Sequence, residues 1–298
     1  MIEGEFQVSS RQTIALKDPQ RLYEDWEHAH WAAQDVDLSR DAEQWPSLEA
    51  GERDLLYFAL SALMVAEERI STQFCGLVLA QADEEEGSFL STQLVDEVRH
   101  MQFYARFQNE VVADPATIAK HVARARELLG EPFRRIFDEA LVAAHDRLRT
   151  DPGDLEAKVD FVTIYHMVLE GTLGITTSHF LLDLLREREL LPGFAEGYGL
   201  IAADEQRHIA YGTWFLREAV SGDPAIAEAI RGRIRDLLPA VAETMSPPDR
   251  DFSEALGIGP GELAEYGLGA LNRRLALIGA PLDESGRSSA SPAERPRT

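Results

Sequence analysis

Apolar residues recur along most of this chain at helical spacing. Over 48–79 they fall at Leu55, Leu56, Phe58, Ala59, Leu63, Val65, Ala66 and Ile70, the three-to-four-residue rhythm of one buried helical stripe. Ser47 is expected to cap this helix at Leu48, with Glu49 and Glu52 in its first turn, where carboxylates oppose the positive end of the dipole. Acids and Gly87 form a loop, and a second helix is predicted over 88–112, ending before Asp114-Pro115. Shorter helices follow over 116–129 and 132–149, then the turn Asp151-Pro152-Gly153. A long helix is predicted over 154–190, stopping at Leu191-Pro192-Gly193, and another over 194–220, stopping at Ser221-Gly222-Asp223-Pro224. Two more are predicted over 225–244 and 260–278. Period-two alternation is absent, so the fold class is all-α. Residues 1–20 read as a polar arm, 21–282 as the helical domain, and 283–298, rich in Ser, Pro and Arg, as a disordered tail.

Two of the predicted helices carry the same pentapeptide. Asp96-Glu97-Val98-Arg99-His100 lies on the second helix and Asp204-Glu205-Gln206-Arg207-His208 on the helix over 194–220. Each sets a carboxylate and an imidazole at i and i+3, neighbours on one helix face. Two such helices facing each other, with one Glu from each of two more, make the four-helix di-metal carboxylate plan. Asp96 and Asp204 suit the role of accepting the second ring N–H of a ligating imidazole, with Arg99 and Arg207 as their counterions. Glu27 and His30 repeat the spacing without the frame, and His30 reads as structural.

The other two glutamates come from the remaining long helices. Glu67 and Glu68 lie between Met64 and Ile70, where an unpaired buried carboxylate is costly; spacing does not choose between them. Glu170 is the only acid from Phe161 to Phe180, and metal ligation is the reading that removes its cost. Gly171 and Gly174 leave room beside it. Iron and manganese both accept mixed imidazole and carboxylate ligands.

Composition narrows the partners. Of 298 residues, 45% are hydrophobic, enough for a full core, and 29 Lys plus Arg against 52 Asp plus Glu give a net charge of −23. Such a chain repels phosphate backbones and anionic lipid surfaces, so nucleic acid is not an expected partner. Cys75 is the single cysteine, which excludes an intrachain disulfide and a thiolate metal cluster; its apolar neighbours place it in the core. Residues 1–10 do not read as a signal peptide. No apolar run reaches membrane-spanning length. A cytoplasmic location is the expectation.

Ala66-Glu67-Glu68-Arg69-Ile70, the two pentapeptides, and Tyr165-His166-Met167-Val168-Leu169-Glu170-Gly171-Thr172-Leu173 together resemble the ferritin-like superfamily. Within it they are similar to the ribonucleotide reductase small subunit, and most of all to its relatives the manganese/iron ligand-binding oxidases. Trp31 with Asp35-Val36-Asp37-Leu38-Ser39-Arg40-Asp41 also looks like a segment of that family, and the similarity covers roughly 20–280. The resemblance implies a ferritin-like four-helix bundle core with additional helices. It implies Glu67, Glu97 and His100 at one metal and Glu170, Glu205 and His208 at the other, with two glutamates bridging. It implies manganese in the first site and iron in the second; the ligand types serve two irons equally.

The same resemblance implies O2 activation, a long-chain fatty acid bound at the metals and a homodimer. It also implies an ether cross-link from Tyr165 to the residue three after the first Glu. That residue is Ile70, where the family has Val; its β-carbon is also tertiary, but the extra methyl changes the geometry. Phe180, Leu181 and Leu184 read as core, with a tunnel wall as the alternative. Tyr104, four residues after His100, stands where reductase small subunits keep a radical tyrosine and oxidases an apolar ring. A reductase small subunit passing a radical from Tyr104 through Trp31 is therefore the competing function. The tail after Asp283 has no Tyr, Phe or Trp, which argues against the partner-docking tail of such subunits. An iron-storage protein and a metal-free scaffold are weaker alternatives; the Trp31 segment speaks against the first and the isolated Glu170 against the second.

Overall fold

The computed structural model describes residues 16–246, 257–259 and 261–282, and within them every regular element is helical. The helices are α1 (Pro19–His28), α2 (Ser39–Gln44), α3 (Ala50–Leu79), α4 (Glu84–Phe107), α5 (Pro115–Arg134), α6 (Leu141–Thr150), α7 (Leu155–Val162), α8 (Ile175–Glu187), α9 (Pro192–Gly222), α10 (Ile226–Thr244) and α11 (Glu262–Ile278). Most of the polar arm and all of the tail predicted from sequence lie outside the described residues; the arm's last two residues, Pro19 and Gln20, open α1.

Four long elements carry the core. α3 packs against α4, and α9 against the wide-turn segment Thr163–Gly174 that joins α7 to α8. This segment is a π-helix, so the single long helix predicted over 154–190 changes pitch in its middle. The wider i→i+5 turn rotates the side chains that follow it, a feature frequent at functional sites. Gly171 suits it, because a β-carbon there would lie 2.5 Å from the carbonyl oxygen of His166. Gly212 on α9 likewise admits His166, whose β-carbon would be 2.2 Å from an added one.

Local signals set the helix ends. α3 begins at Ala50 rather than Leu48, because Glu49 and Glu52 form a reciprocal capping box, while Ser47 belongs to a short 3₁₀ turn. Asp41, fully buried, accepts from the backbone N–H groups of Gly193 at 2.8 Å and Phe194 at 2.6 Å, pinning the start of α9 to α2. Cys75 is exposed, not in the core; Phe74 and Leu77 take the buried face of α3, and the helical phase turns Cys75 away from it. No described helix is long and apolar enough to cross a membrane.

Candidate metal centre

The two pentapeptides meet across the α4–α9 interface. His100 and His208 are fully buried, with ring centroids 6.2 Å apart. Each imidazole is held by the aspartate of the other helix: His100 Nε2 donates to Asp204 at 3.1 Å and His208 Nε2 to Asp96 at 3.2 Å. The pairing is thus crossed. The indole N–H of Trp31 donates to Asp204 and that of Trp26 to Asp96, both at 2.8 Å. Arg99 pairs with Asp96 and Asp204, and Arg207 does the same from the other helix. Arg99 also lies over the Trp31 ring at 4.9 Å and meets His30 Nδ1 at 3.1 Å, which fits the structural reading of His30.

Fixing both Nε2 atoms turns both Nδ1 atoms toward the glutamates. His100 Nδ1 lies 3.5 Å from Glu205 and 3.7 Å from Glu97. His208 Nδ1 lies 3.2 Å from Glu170, 3.6 Å from Glu97 and 3.7 Å from Glu205. Two ligand-like groups result: Glu67, Glu97 and His100, and Glu97, Glu170, Glu205 and His208. Within each, one donor atom per residue lies within 4.8 Å of all the others. Glu97 is common to both. Of the adjacent pair on α3, Glu67 is buried and Glu68 is exposed, pairing with Arg126 at the surface.

Tyr165 donates its hydroxyl to Glu97 at 2.7 Å. Gln93 donates to Glu170 at 3.0 Å and accepts from His166 Nε2 at 3.2 Å. Tyr104 is buried among Phe103, Phe194 and Tyr198. Trp26, Gln93, His166 and Tyr198 were not singled out by the sequence. Gln93 had a signal, standing one helical turn before Glu97 on the same face.

The electrostatics are those of a cation cluster. Burial, reinforced by Glu97, pushes Glu67 well above the usual carboxylate range; burial and Glu205 do the same to Glu170. Burial opposes protonation of both histidines, but the carboxylates around them outweigh it and raise them. Burial also opposes ionisation of Asp204, yet the His100 hydrogen bond and Arg207 hold it below its ordinary range. His100 Nδ1, Glu170 Oε2 and Glu205 Oε2 are buried without a hydrogen-bond partner, and buried polar atoms are rarely left so. With Arg99 and Arg207 balancing Asp96 and Asp204, four glutamates deprotonated by bound metal would match the charge of two divalent ions. The donor set fits a di-metal centre.

From this centre a cavity of about 620 Å³ runs outward. Glu67, Glu97, Glu170 and Glu205 line one part of it, and apolar side chains such as Leu55, Phe58, Ala62, Leu63 and Leu173 line much of the rest. Ile70, Tyr104, Tyr198, Phe180 and Leu181 also face it. Phe180 and Leu181 therefore line it, Leu181 also packing into the core with Leu184, which does not face the cavity.

The model of the ribonucleotide reductase small-chain family matches residues 12–244. The chain belongs to the ribonucleotide reductase small-chain family. Solved structures similar to this small-chain member include a valine-to-isoleucine variant of an R2-like ligand-binding oxidase with an aerobically reconstituted Mn/Fe cofactor. It is 25% identical over 87% of this chain and 93% of that chain, with a TM-score of 0.77. A glycine-to-leucine variant with an anaerobically reconstituted Mn/Fe cofactor is 26% identical over 88% of this chain and 93% of that one, with a TM-score of 0.77. The R2-like ligand-binding oxidase of Sulfolobus acidocaldarius, at 23% identity over 88% and 90% of the two chains, has the same fold with a TM-score of 0.74. The fold is ferritin-like, as expected from the sequence.

Proposed function

We propose that this chain is an O2-activating di-metal oxidase that performs a two-electron oxidation of a C–H bond. Glu67, Glu97 and His100 would hold one ion, Glu170, Glu205 and His208 the other, with Glu97 shared. When bound, a manganese/iron pair, or two irons, supplies the oxygen activation and the oxidising power. The Mn/Fe cofactor of the R2-like oxidases that the chain is similar to supports one ion of each kind, and we assign manganese to the site beside Glu67 and His100 and iron to the other, as the family resemblance of the motifs implies. The chain's own residues do the rest. Asp96 and Asp204 fix the imidazoles, Tyr165 holds a proton against Glu97, and the apolar cavity keeps water from the reacting face.

The cavity supports a long-chain fatty acid as the bound molecule. Its apolar length suits an acyl chain, and its glutamate-lined part suits a carboxylate head only once cations have offset the glutamates. Ile70 lines the same cavity, which supports the Tyr165–Ile70 ether cross-link. A cytoplasmic homodimer completes the reading. Val95 and Val98, left 48% and 43% exposed on α4, support a covered face there.

The observation that carries this reading is the sharing of Glu97 by two buried donor groups at one part of a large apolar cavity. It is tested by assembling the protein aerobically with Mn(II) and Fe(II), then measuring metals and extracted lipids. About two metal ions per chain and a co-purifying fatty acid are expected. A metal content below about half an ion per chain would end the proposal.

A reductase small subunit is the second reading. It is favoured by the hydrogen-bonded line Trp31–Asp204–His100 and by Tyr104 facing the cavity beside the glutamates. A sharp tyrosyl signal in electron paramagnetic resonance, lost in Tyr104→Phe, would select it.

A further inference from the structure

A second cavity, of about 540 Å³, opens between α8, α9 and α11 beside the first, with Ser178 lining both. Three guanidiniums line it: Arg186 from α8, and Arg273 and Arg274 from α11. In a chain with a net charge of −23, most arginines among the described residues ion-pair with a carboxylate. Yet among the described residues none of these three makes an ion pair. Arg274 donates instead to the carbonyl of Gly171 at 2.6 Å. Burial and then the charge of Arg273 make its protonated form less favourable than usual, so among the described residues three guanidiniums are gathered here against a single lining carboxylate, Asp183.

The cavity also has a flat wall. The rings of His179 and Tyr266 stack with centroids 4.3 Å apart and planes 12° from parallel. His179 is steadied by Asp183, the one carboxylate of the lining, at 3.4 Å. Ile175, Leu182 and Ala270 give a buried apolar floor, and Gln206 adds an amide. The volume is that of a site for a small organic ligand. Guanidiniums in a group match phosphate oxygens in bidentate fashion, and stacked aromatic faces receive planar rings.

We propose that this cavity is a binding site for a phosphorylated planar molecule of the mononucleotide class, its phosphate held by Arg186 and Arg273 and its ring placed against Tyr266. The site would touch the metal centre from behind. Gln206 follows Glu205, and Arg274 holds the carbonyl of Gly171, which follows Glu170, so an occupant meets the sequence neighbour of one metal-facing glutamate directly and that of the other through Arg274.

The test uses the metal-loaded full-length protein and isothermal titration at low salt with AMP, adenosine and inorganic phosphate. AMP should bind at least about tenfold more tightly than either fragment, the effect of one or two charge-assisted hydrogen bonds. Arg186→Gln/Arg273→Gln, two exposed positions, should lose about tenfold in AMP affinity with metal content unchanged, while Arg235→Gln on α10 should lose nothing. Equal affinity for AMP and adenosine, equal affinity for AMP and phosphate, or an AMP affinity unmoved in the double variant would each overturn the proposal. None of these readings depends on oxidase activity, so the site stands or falls apart from the function proposed for the metal centre.

Discussion

Asp96 on α4 accepts its hydrogen bond from His208 on α9, at 3.2 Å, and not from His100, the histidine of its own motif. The crossed pairing makes each half of the repeated motif depend on the other helix for the tautomer of its imidazole. Replacing Asp96 with Asn removes the charge that holds the Nε2 proton and leaves Arg207 with one partner fewer. Metal affinity in Asp96→Asn is expected to fall about 10–100-fold, with helical content unchanged. Chelator competition measures it. An affinity equal to that of the parent protein would show that the carboxylate does not tune the imidazole.

The Tyr165 hydroxyl rests on Glu97, while Ile70, three residues beyond Glu67, lines with Glu97 the apolar cavity beside the centre. An ether between them forms one O–C bond. It breaks the phenolic O–H and the Ile70 Cβ–H, and O2 takes the two electrons and two protons. Aerobically assembled protein should therefore yield a joined peptide pair lighter by two hydrogens. Anaerobic assembly and Tyr165→Phe should yield the peptides separately. Separate peptides after aerobic assembly would rule the bond out.

Ala62 lines the apolar part of the cavity and carries no hydrogen-bonding role. Ala62→Phe should fill acyl-chain space without touching a glutamate. Lipid recovered by extraction is expected to drop several-fold while bound metal stays level. If lipid and metal fall together, the substitution has disturbed the bundle; if lipid is unchanged, the chain lies elsewhere.

The pattern of acids and histidines made much of this centre legible before any coordinates. The repeated pentapeptide and the solitary Glu170 signalled a cost that only ligands or partners relieve, and such costs are local. What stayed hidden depends on how helices rotate against one another. Neither spacing nor burial cost separates Glu67 from Glu68; the packing of α3 on α4 does, with Glu68 drawn outward to Arg126. The crossing of Asp96 to His208 is likewise invisible within either motif. Trp26 carried no signal in the sequence, and reaches Asp96 only because α1 packs on α4. The change of pitch over 163–174 escaped because a π-turn keeps a helical apolar rhythm over a few residues.

Away from the metals, Lys158 lies 5% exposed, with its ammonium 2.7 and 2.8 Å from the two oxygens of Glu86. Tyr211 donates to the same carboxylate at 2.6 Å. Removing one partner of a buried pair strands the other charge, which costs about 3–5 kcal/mol. Lys158→Met should lose that much in urea unfolding. The double variant with Glu86→Gln should recover part of it. A single-variant loss under about 1 kcal/mol would mean that water reaches the pair.

Metal loading must expel protons, and the sign of the effect follows from four groups. Glu67 and Glu170 are raised by burial and by their carboxylate neighbours; His100 and His208 are raised because those carboxylates outweigh burial. All four bind protons more readily in the metal-free fold than in the unfolded chain. They therefore stabilise that fold below their unfolded pKa values, and the contribution is lost as pH rises through the folded ones. Metals need these groups deprotonated. Metal affinity should thus tighten as pH rises through that window, and the melting-temperature gap between loaded and metal-free protein should widen with it. Glu97 and Asp204, both lowered, are already ionised and add nothing to the release. Calorimetry in two buffers of different ionisation enthalpy counts the protons directly. Proton uptake on loading, or a melting gap that does not change with pH, would contradict the assignment of these side chains to the ions.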